Sequence, residues 1–596
     1  MKRGFFVLMG MLLLAGLTFA QPLGPPVKVA VAPSAVRWSQ MAFSPDGVAH
    51  IIYELMDYGS SFSDIVMYVT YDGTTASTPI MVSPAVGLAD RPGIGIGPTG
   101  TVAVVWGDQN TSSVMMRVKN PATGAWGDFE TVKAGYGRDE PSVCVDRENN
   151  IYVMWYDDGG GRIYSRAKVN GAWEETKRMD SQTTRATQDG IAMGRDGRIW
   201  GIWREKQGGG EYKGRYRFRT KTTGWSEVMV INDAGASWSH PGITVGPDNI
   251  PLVVTGDIDE TSGTSQEMWM IVMNGQGNPR ELLIPAVTQH YPRVAADKFG
   301  KYVAVQLGGG DFGDGIRFTY KKTGSSTWSD VQTMGGAWPK IPGISADGYG
   351  NVAVCWSNIR FGEGADILLA SFSPISKKQV HAPQSPTGSA AFETVNNVPK
   401  VTWTFSWGAN SQNKVSEMDG YQIYRRFSGG SWEPVAYVDK TKLTATYSVS
   451  ELTSVPEFAV CAVLLSGLES SKVSFPAIQY QLGVPLNASA SYKLTGLKTT
   501  EPMLKVDISW QPNSANNDAY IQGYNIYKKE GTDGSFQLFK EIAKGQTSAS
   551  FTFDTTETKL QFGITTLTVF KLESSMVVLG PTQTQTGFSR VRIVGK

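Results

Sequence analysis

The stretches AFSPDGVAHIIYE (42–54), GIGPTGTVAVVWG (95–107), CVDRENNIYVMWY (144–156), AMGRDGRIWGIWR (192–204), TVGPDNIPLVVTG (244–256), AADKFGKYVAVQL (295–307) and SADGYGNVAVCWS (345–357) are seven copies of one pattern. Each is a short apolar run, a turn, then an alternating apolar run that often ends in Trp or Tyr. The turns centre on Gly47, Gly100, Asn149, Gly197, Asn249, Gly300 and Gly350, at successive spacings of 53, 49, 48, 52, 51 and 50 residues. Gly and Asn belong there because a tight hairpin needs positive φ. A third apolar run follows in each copy, as in IVMYVTY (65–71) and VMMRVK (114–119), then a fourth, as in ETVKA (130–134) and VMVIN (228–232). Four antiparallel strands repeated seven times predict a seven-bladed β-propeller over residues 21–373.

The seventh copy lacks a good fourth strand, because SPISKKQVHAP (373–383) is weak as one. The run VKVAVAP (27–33) precedes the first copy and resembles the fourth strands IMVSPAV and ELLIPAV. It is expected to complete the last blade and so remove an exposed edge. Ahead of it, Lys2-Arg3, the apolar run Phe5–Leu17 and Thr18-Phe19-Ala20 have the layout of a secretory signal peptide over residues 1–20. That apolar run is too short to favour a membrane span. The protein is therefore expected outside the cytoplasm, secreted, periplasmic or at the cell surface, with no transmembrane segment in the mature chain.

Past Ser373 the period stops, and residues 374–386 read as a linker. Two similar segments follow, over 387–480 and 481–590. Each runs from an alternating strand with Trp, through Gly-Tyr-x-Ile-Tyr, to a long strand ending in Leu-Glu-Ser-Ser. Their strand count and length fit seven-stranded sandwiches without a disulfide. They resemble fibronectin type III domains, with Trp407 and Trp510 matching the early core Trp and Gly420–Tyr424 and Gly523–Tyr527 the central strand. Phe458 and Phe562 replace that family's Tyr in the penultimate strand. The resemblance implies immunoglobulin-like spacers or docking modules and no chemistry. The fold class expected for the whole chain is all-β.

Composition agrees. The 596 residues include 67 Gly, 17 Trp, 23 Tyr and 24 Phe, as turn-rich blades with large side chains between them require. A net charge of +1 with no basic block excludes general nucleic-acid binding. Cys144, Cys355 and Cys461 lie far apart in apolar runs and read as small buried side chains. The blade-ending Trp106, Trp155, Trp203 and Trp356 read as structural, and His50, inside a strand, as packing.

What remains for function lies just before the first strands, which in a propeller ring one mouth of the central channel. The binding candidates there are Arg37, Trp38, Arg91, Arg138, Arg185, Trp238, Trp338 and Lys340. Aromatic faces stack on sugars and Arg forks hold carboxylates. His240, His290, Tyr291 and Arg293 are the catalytic candidates, a His–Tyr set suited to proton abstraction beside a neutralised uronate. No cofactor is indicated; Asp311-Phe312-Gly313-Asp314 falls short of a calcium loop. The propeller resembles the sialidase-like group of secreted bacterial propellers through turns such as Gly124-Ala125-Trp126 and Gly171-Ala172-Trp173. Here that group's turn Asp is missing and no Arg-Ile-Pro occurs near the start. The expected function is a non-catalytic exported protein whose propeller binds a glycan or an extracellular protein. The alternative is a polysaccharide-active enzyme, a lyase or a divergent glycosidase, and a hydrolase would need two carboxylates about 5 to 9.5 Å apart.

Overall fold

A computed structural model describes residues 23–579, apart from 57–63, 86, 136–138, 182–184, 208–209, 232–236, 260–263, 275–277, 286–290, 298–301, 308–314, 323–324, 335–340, 361–362, 396–397, 451–455, 477–481, 496–502, 532–533 and 555–559. The segment 1–20, the rim candidates Arg138, His290, Trp338 and Lys340, and Asp311–Asp314 lie outside the described residues. The chain divides into two compact units, Met1–Gln379 with Leu464–Leu468, and Val380–Val463 with Glu469–Lys596. Among the described residues the structure is all-β, with one short 3-10 turn at Asp518–Tyr520.

The first unit holds seven antiparallel sheets of four or five strands. Their first strands are Val36–Phe43, Ala89–Ile96, Asp139–Val145, Ala186–Met193, Ser237–Val245, Arg293–Ala296 and Gly343–Ala346; they define sheets 1 to 7. Each first strand lies against the next, and that of sheet 7 lies against that of sheet 1, so the sheets close a ring. This arrangement fits a propeller. The hairpin turns use the expected residues: Gly47, Gly100, Asn149, Gly197, Asn249 and Gly350 all have positive φ. Trp106, Trp155, Trp203 and Trp356 are buried in the cores between sheets. His50 is buried and its Nδ1 lies 2.6 Å from the Tyr68 hydroxyl.

Two devices join the ends of the ring. The strand Val27–Ala32 pairs antiparallel with Gly364–Ser371 as the fourth strand of sheet 7. Residues 375–378 then cross sheet 1: Lys377 N–H donates to Asp72 O at 3.1 Å, Lys378 N–H to Asp46 O at 2.6 Å, and Ile375 is buried. Gly73 makes room for this crossing, since a Cβ on it would sit 1.8 Å from Ile375 O. The early part of the expected linker is thus a fixed strap.

Neighbouring sheets are also clasped at their outer strands. Glu130 of sheet 2 accepts from Lys168 Nζ (2.6 Å) and Trp173 Nε1 (3.2 Å) of sheet 3. Glu281 of sheet 5 accepts in the same way from Lys321 Nζ (2.8 Å) and Trp328 Nε1 (3.1 Å) of sheet 6. Arg219 of sheet 4 forks onto Glu174 of sheet 3 at 2.6 and 2.7 Å. The turn residues Trp173 and Trp328 are therefore hydrogen-bonded struts between sheets. Glu130→Ala leaves an indole N–H and an ammonium without their acceptor, and urea unfolding should show a loss of about 1–2 kcal/mol.

The second unit holds two sandwiches, each a three-stranded sheet facing a four-stranded one. In the first, Gln384–Val395, Val398–Gly408 and Thr444–Val449 face Met418–Arg426 and its neighbours. In the second, Leu486–Thr495, Met503–Gln511 and Ser548–Asp554 face Ile521–Glu530 and its neighbours across one core. The Leu-Glu-Ser-Ser motif is a structural pin in both. Glu469 and Glu573 accept from the hydroxyls of Tyr424 and Tyr527, and Ser470 and Ser574 accept from the N–H of Ala462 and Thr566.

Candidate functional site

The inner strands of the ring begin irregularly. Pairing with the second strand skips at Val36/Ser39, Asp90/Gly93, Asp139/Ser142, Thr187/Asp189 and Ser239/Gly242. Such bulges re-aim side chains and gather near functional sites. In sheets 2, 3 and 5 the bulge holds a residue followed by proline, Arg91-Pro92, Glu140-Pro141 and His240-Pro241, and Tyr291-Pro292 opens sheet 6. All four residues before proline have positive φ: Arg91 at 47°, Glu140 at 49°, His240 at 40° and Tyr291 at 63°. For residues with a Cβ this left-handed region costs about 1–3 kcal/mol each. The same strained device thus recurs at one end of the ring, and each copy presents a different functional group.

These groups meet. Tyr291 and His240 rings lie 4.0 Å apart between centroids. Tyr291 meets the Trp38 ring edge-on at 5.1 Å, and the Arg91 guanidinium lies 5.5 Å from the same indole. Arg91 also faces Asp90 at 3.8 Å and Glu140 at 3.6 Å. Arg37 Nη2 donates to Glu54 Oε1 and Asp90 Oδ1, both at 2.6 Å, while Arg91 N–H donates to Glu54 Oε2 at 3.1 Å. Burial and the neighbouring Asp90 push the Glu54 carboxyl up to about 8, against the pull of Arg37.

Beside them is Asp189, which stands where sheets 2, 3, 5 and 7 carry Pro92, Pro141, Pro241 and Pro342. Only 8% of it is exposed; its Oδ2 accepts from Ser142 Oγ at 2.8 Å and its Oδ1 has no hydrogen-bond partner. Burial holds its carboxyl well above the usual carboxylate range; Ser142 opposes this, Glu140 adds to it, and Arg293 opposes it weakly. Burial in turn lowers Arg293, whose charge faces Glu140, Tyr291 and Asp189. Arg185 is an open cation at this end, 55% exposed, and donates to the Tyr156 hydroxyl at 3.0 Å.

The structure therefore sorts the sequence candidates. Arg91, His240 and Tyr291 come together, with Trp38 beneath them and Arg293 alongside Tyr291. Trp238 is corrected: it is fully buried, packed against Gly214 of sheet 4, whose missing Cβ makes the space for its indole. Trp38 is likewise buried and supports the cluster from below. Arg37 and Arg91 were expected to hold ligand carboxylates, but they hold Glu54, Asp90 and Glu140 of this chain. Asp189 and Glu140 carry more of the site than the sequence suggested. The readable signal was the repeated x-Pro before the first strands.

The strain has a measurable consequence. At His240, Gly fits the left-handed backbone and Ala does not, so His240→Gly should be more stable than His240→Ala by about 1 kcal/mol in urea unfolding. In a regular strand the order is reversed.

No family model matches the chain. No curated protein matches it either. Among solved structures, a fungal alcohol oxidase in complex with copper is 13% identical over 77% of this chain and 100% of its own, with a TM-score of 0.43. A polysaccharide lyase described as an ulvan lyase is 11% identical over 59% of this chain and 96% of its own, with a TM-score of 0.40. The α-L-arabinanase of Penicillium chrysogenum, complexed with arabinobiose, is 12% identical over 59% and 98%, with a TM-score of 0.37. Likenesses of this size leave the chemistry to be read from this chain's own residues.

Proposed function

We propose that the chain is an exported seven-bladed β-propeller followed by two fibronectin type III domains, and that the propeller binds a glycan at the mouth where its inner strands begin. One observation carries this reading: four residues before proline, Arg91, Glu140, His240 and Tyr291, hold strained backbones at one end of the ring. The same bulge opens both sandwiches at Ser385 and Asn487, so what marks the ring is that its strained copies carry an arginine, a carboxylate, a histidine and a tyrosine that meet at one end, and strained residues cluster where a ligand is held. Tyr291 and His240 offer ring faces to a sugar, Arg91 and Arg185 offer N–H donors to its hydroxyls, and Trp38 fixes the group from below. Arg138, His290, Trp338 and Lys340 precede first strands in the sequence in the same way, which makes them candidates for the same rim. The sandwich domains act as spacers or docking modules.

A second reading, catalysis on the same glycan, is favoured by Asp189. A buried carboxyl held well above the usual carboxylate range is suited to give a proton to a leaving oxygen. Incubating the full-length protein with a polysaccharide panel separates the two. Saturable binding without new reducing or unsaturated ends supports the binding protein. Release of such ends, abolished by Asp189→Asn with binding retained, establishes the enzyme. Absence of both overturns the proposal.

A further inference from the structure

We infer that the ligand of this mouth is an uncharged glycan, and that uronate, sialate and sulfate polymers are excluded; the inference rests on the glycan reading above. It comes from what Arg37, Arg91 and Arg293 already face. Arg37 Nη2 is shared between Glu54 and Asp90 at 2.6 Å each, and these carboxylates are 0% and 5% exposed. Gln109 Nε2 completes Asp90 at 2.7 Å. An anionic ligand that claimed Arg37 would leave one of these carboxylates buried without its partner. Breaking a buried pair costs far more than an ion pair at the surface returns.

Arg91 faces Asp90 at 3.8 Å and Glu140 at 3.6 Å, more loosely than Arg37 holds its partners, with Trp38 under its guanidinium. Arg293 is half-buried, and its charge is felt by Glu140 and Asp189. Arg37, Arg91 and Arg293 each face carboxyls of this chain, so an anionic ligand reaching them has to compete with an internal partner. Asp189 Oδ1, buried and without a partner, meets a hydroxyl well, because a hydroxyl both donates and accepts. A ligand carboxylate can only accept, and it meets like charge in Asp90 and Glu140 beside Arg91. The half-buried rings of Tyr291 and His240 add apolar faces of the kind a sugar ring covers.

The test is affinity electrophoresis and calorimetry of the full-length protein with neutral polymers (laminarin, xylan, arabinan, dextran) and acidic ones (polygalacturonate, alginate, heparin), in 50 and 500 mM NaCl. The expected result is saturable binding to at least one neutral polymer, with Kd changing by less than about twofold between the two salt concentrations. Tyr291→Ala should weaken that binding about tenfold or more. Tighter binding of an acidic polymer, weakening steeply with salt, overturns the inference and leaves the glycan reading standing. Neutral binding that Tyr291→Ala leaves unchanged overturns the placement at this mouth. No saturable binding of either class overturns both.

Discussion

Deletion of residues 23–34 lowers the melting temperature of the ring by about 10 °C, or prevents its folding. The deleted segment contains the strand Val27–Ala32, which pairs with Gly364–Ser371 and closes sheet 7. Val29, Ala30 and Ala32 are buried in one core with Tyr53 of sheet 1 and Ile367 of sheet 7. Their burial is worth about 3 kcal/mol at the usual transfer values. Gly24 N–H also donates to Ser371 O at 2.8 Å, and Lys28 pairs with Asp366 at 3.2 Å. Loss of the strand bares the edge of Gly364–Ser371, so the deleted protein should also self-associate. Gly364→Ala reports on the same closure without a deletion: at φ 96° the position suits Gly, and a Cβ there would sit 2.0 Å from Ala32 O. Scanning calorimetry of the three proteins decides it, and an unchanged melting temperature for the deletion would show that the strand contributes nothing.

Acidification is the second large effect, and His50 is its source. Its ring is buried against the Tyr68 hydroxyl, and burial, helped by the charge of Lys119, pushes its pKa down to about 3. An unfolded His takes up its proton near pH 6.5. Between these two values the unfolded chain binds more protons than the folded one. Stability therefore falls as pH drops from about 6.5 towards 3, and this contribution is constant above that window. At pH 4 the loss from this one group is about 3 kcal/mol. His50→Gln keeps a polar partner for Tyr68 and has no proton to gain. Urea titrations at pH 8 and pH 4 should show the wild type losing about 3 kcal/mol more than the variant across that interval. Equal losses would mean that His50 is not held neutral by the fold.

The ring was legible because its period is written in turn chemistry. Gly47, Gly100, Asn149, Gly197, Asn249 and Gly350 each need a positive φ, and a residue type that supplies it stands out every fifty or so positions. The segment 27–33 was legible as a fourth strand by its likeness to IMVSPAV, and Val27–Ala32 takes that place in sheet 7. The site was legible only as a list of rim residues. Arg37 is separated by 53 positions from its partner Asp90, and Tyr291 meets Trp38 from a different sheet. Periodicity fixes which residues start the inner strands; it does not say which of them turn inwards. Trp238 shows the difference, since one glycine on a neighbouring strand, Gly214, gives its indole a place in the core. The strained x-Pro series was printed in the sequence as RPG, EPS, HPG and YPR, but proline at a strand start has an ordinary reading as well.

The central claim, that the strained cluster at the ring mouth exists to hold a glycan, is tested most directly by titrating one neutral polymer into wild type, Tyr291→Ala and His240→Gly, with the melting temperature of each recorded alongside. The account predicts that His240→Gly melts at or above the wild-type temperature while its Kd, like that of Tyr291→Ala, rises about tenfold or more. Wild-type affinity in both variants, with both melting well below wild type, would contradict it and make the cluster a feature of folding alone.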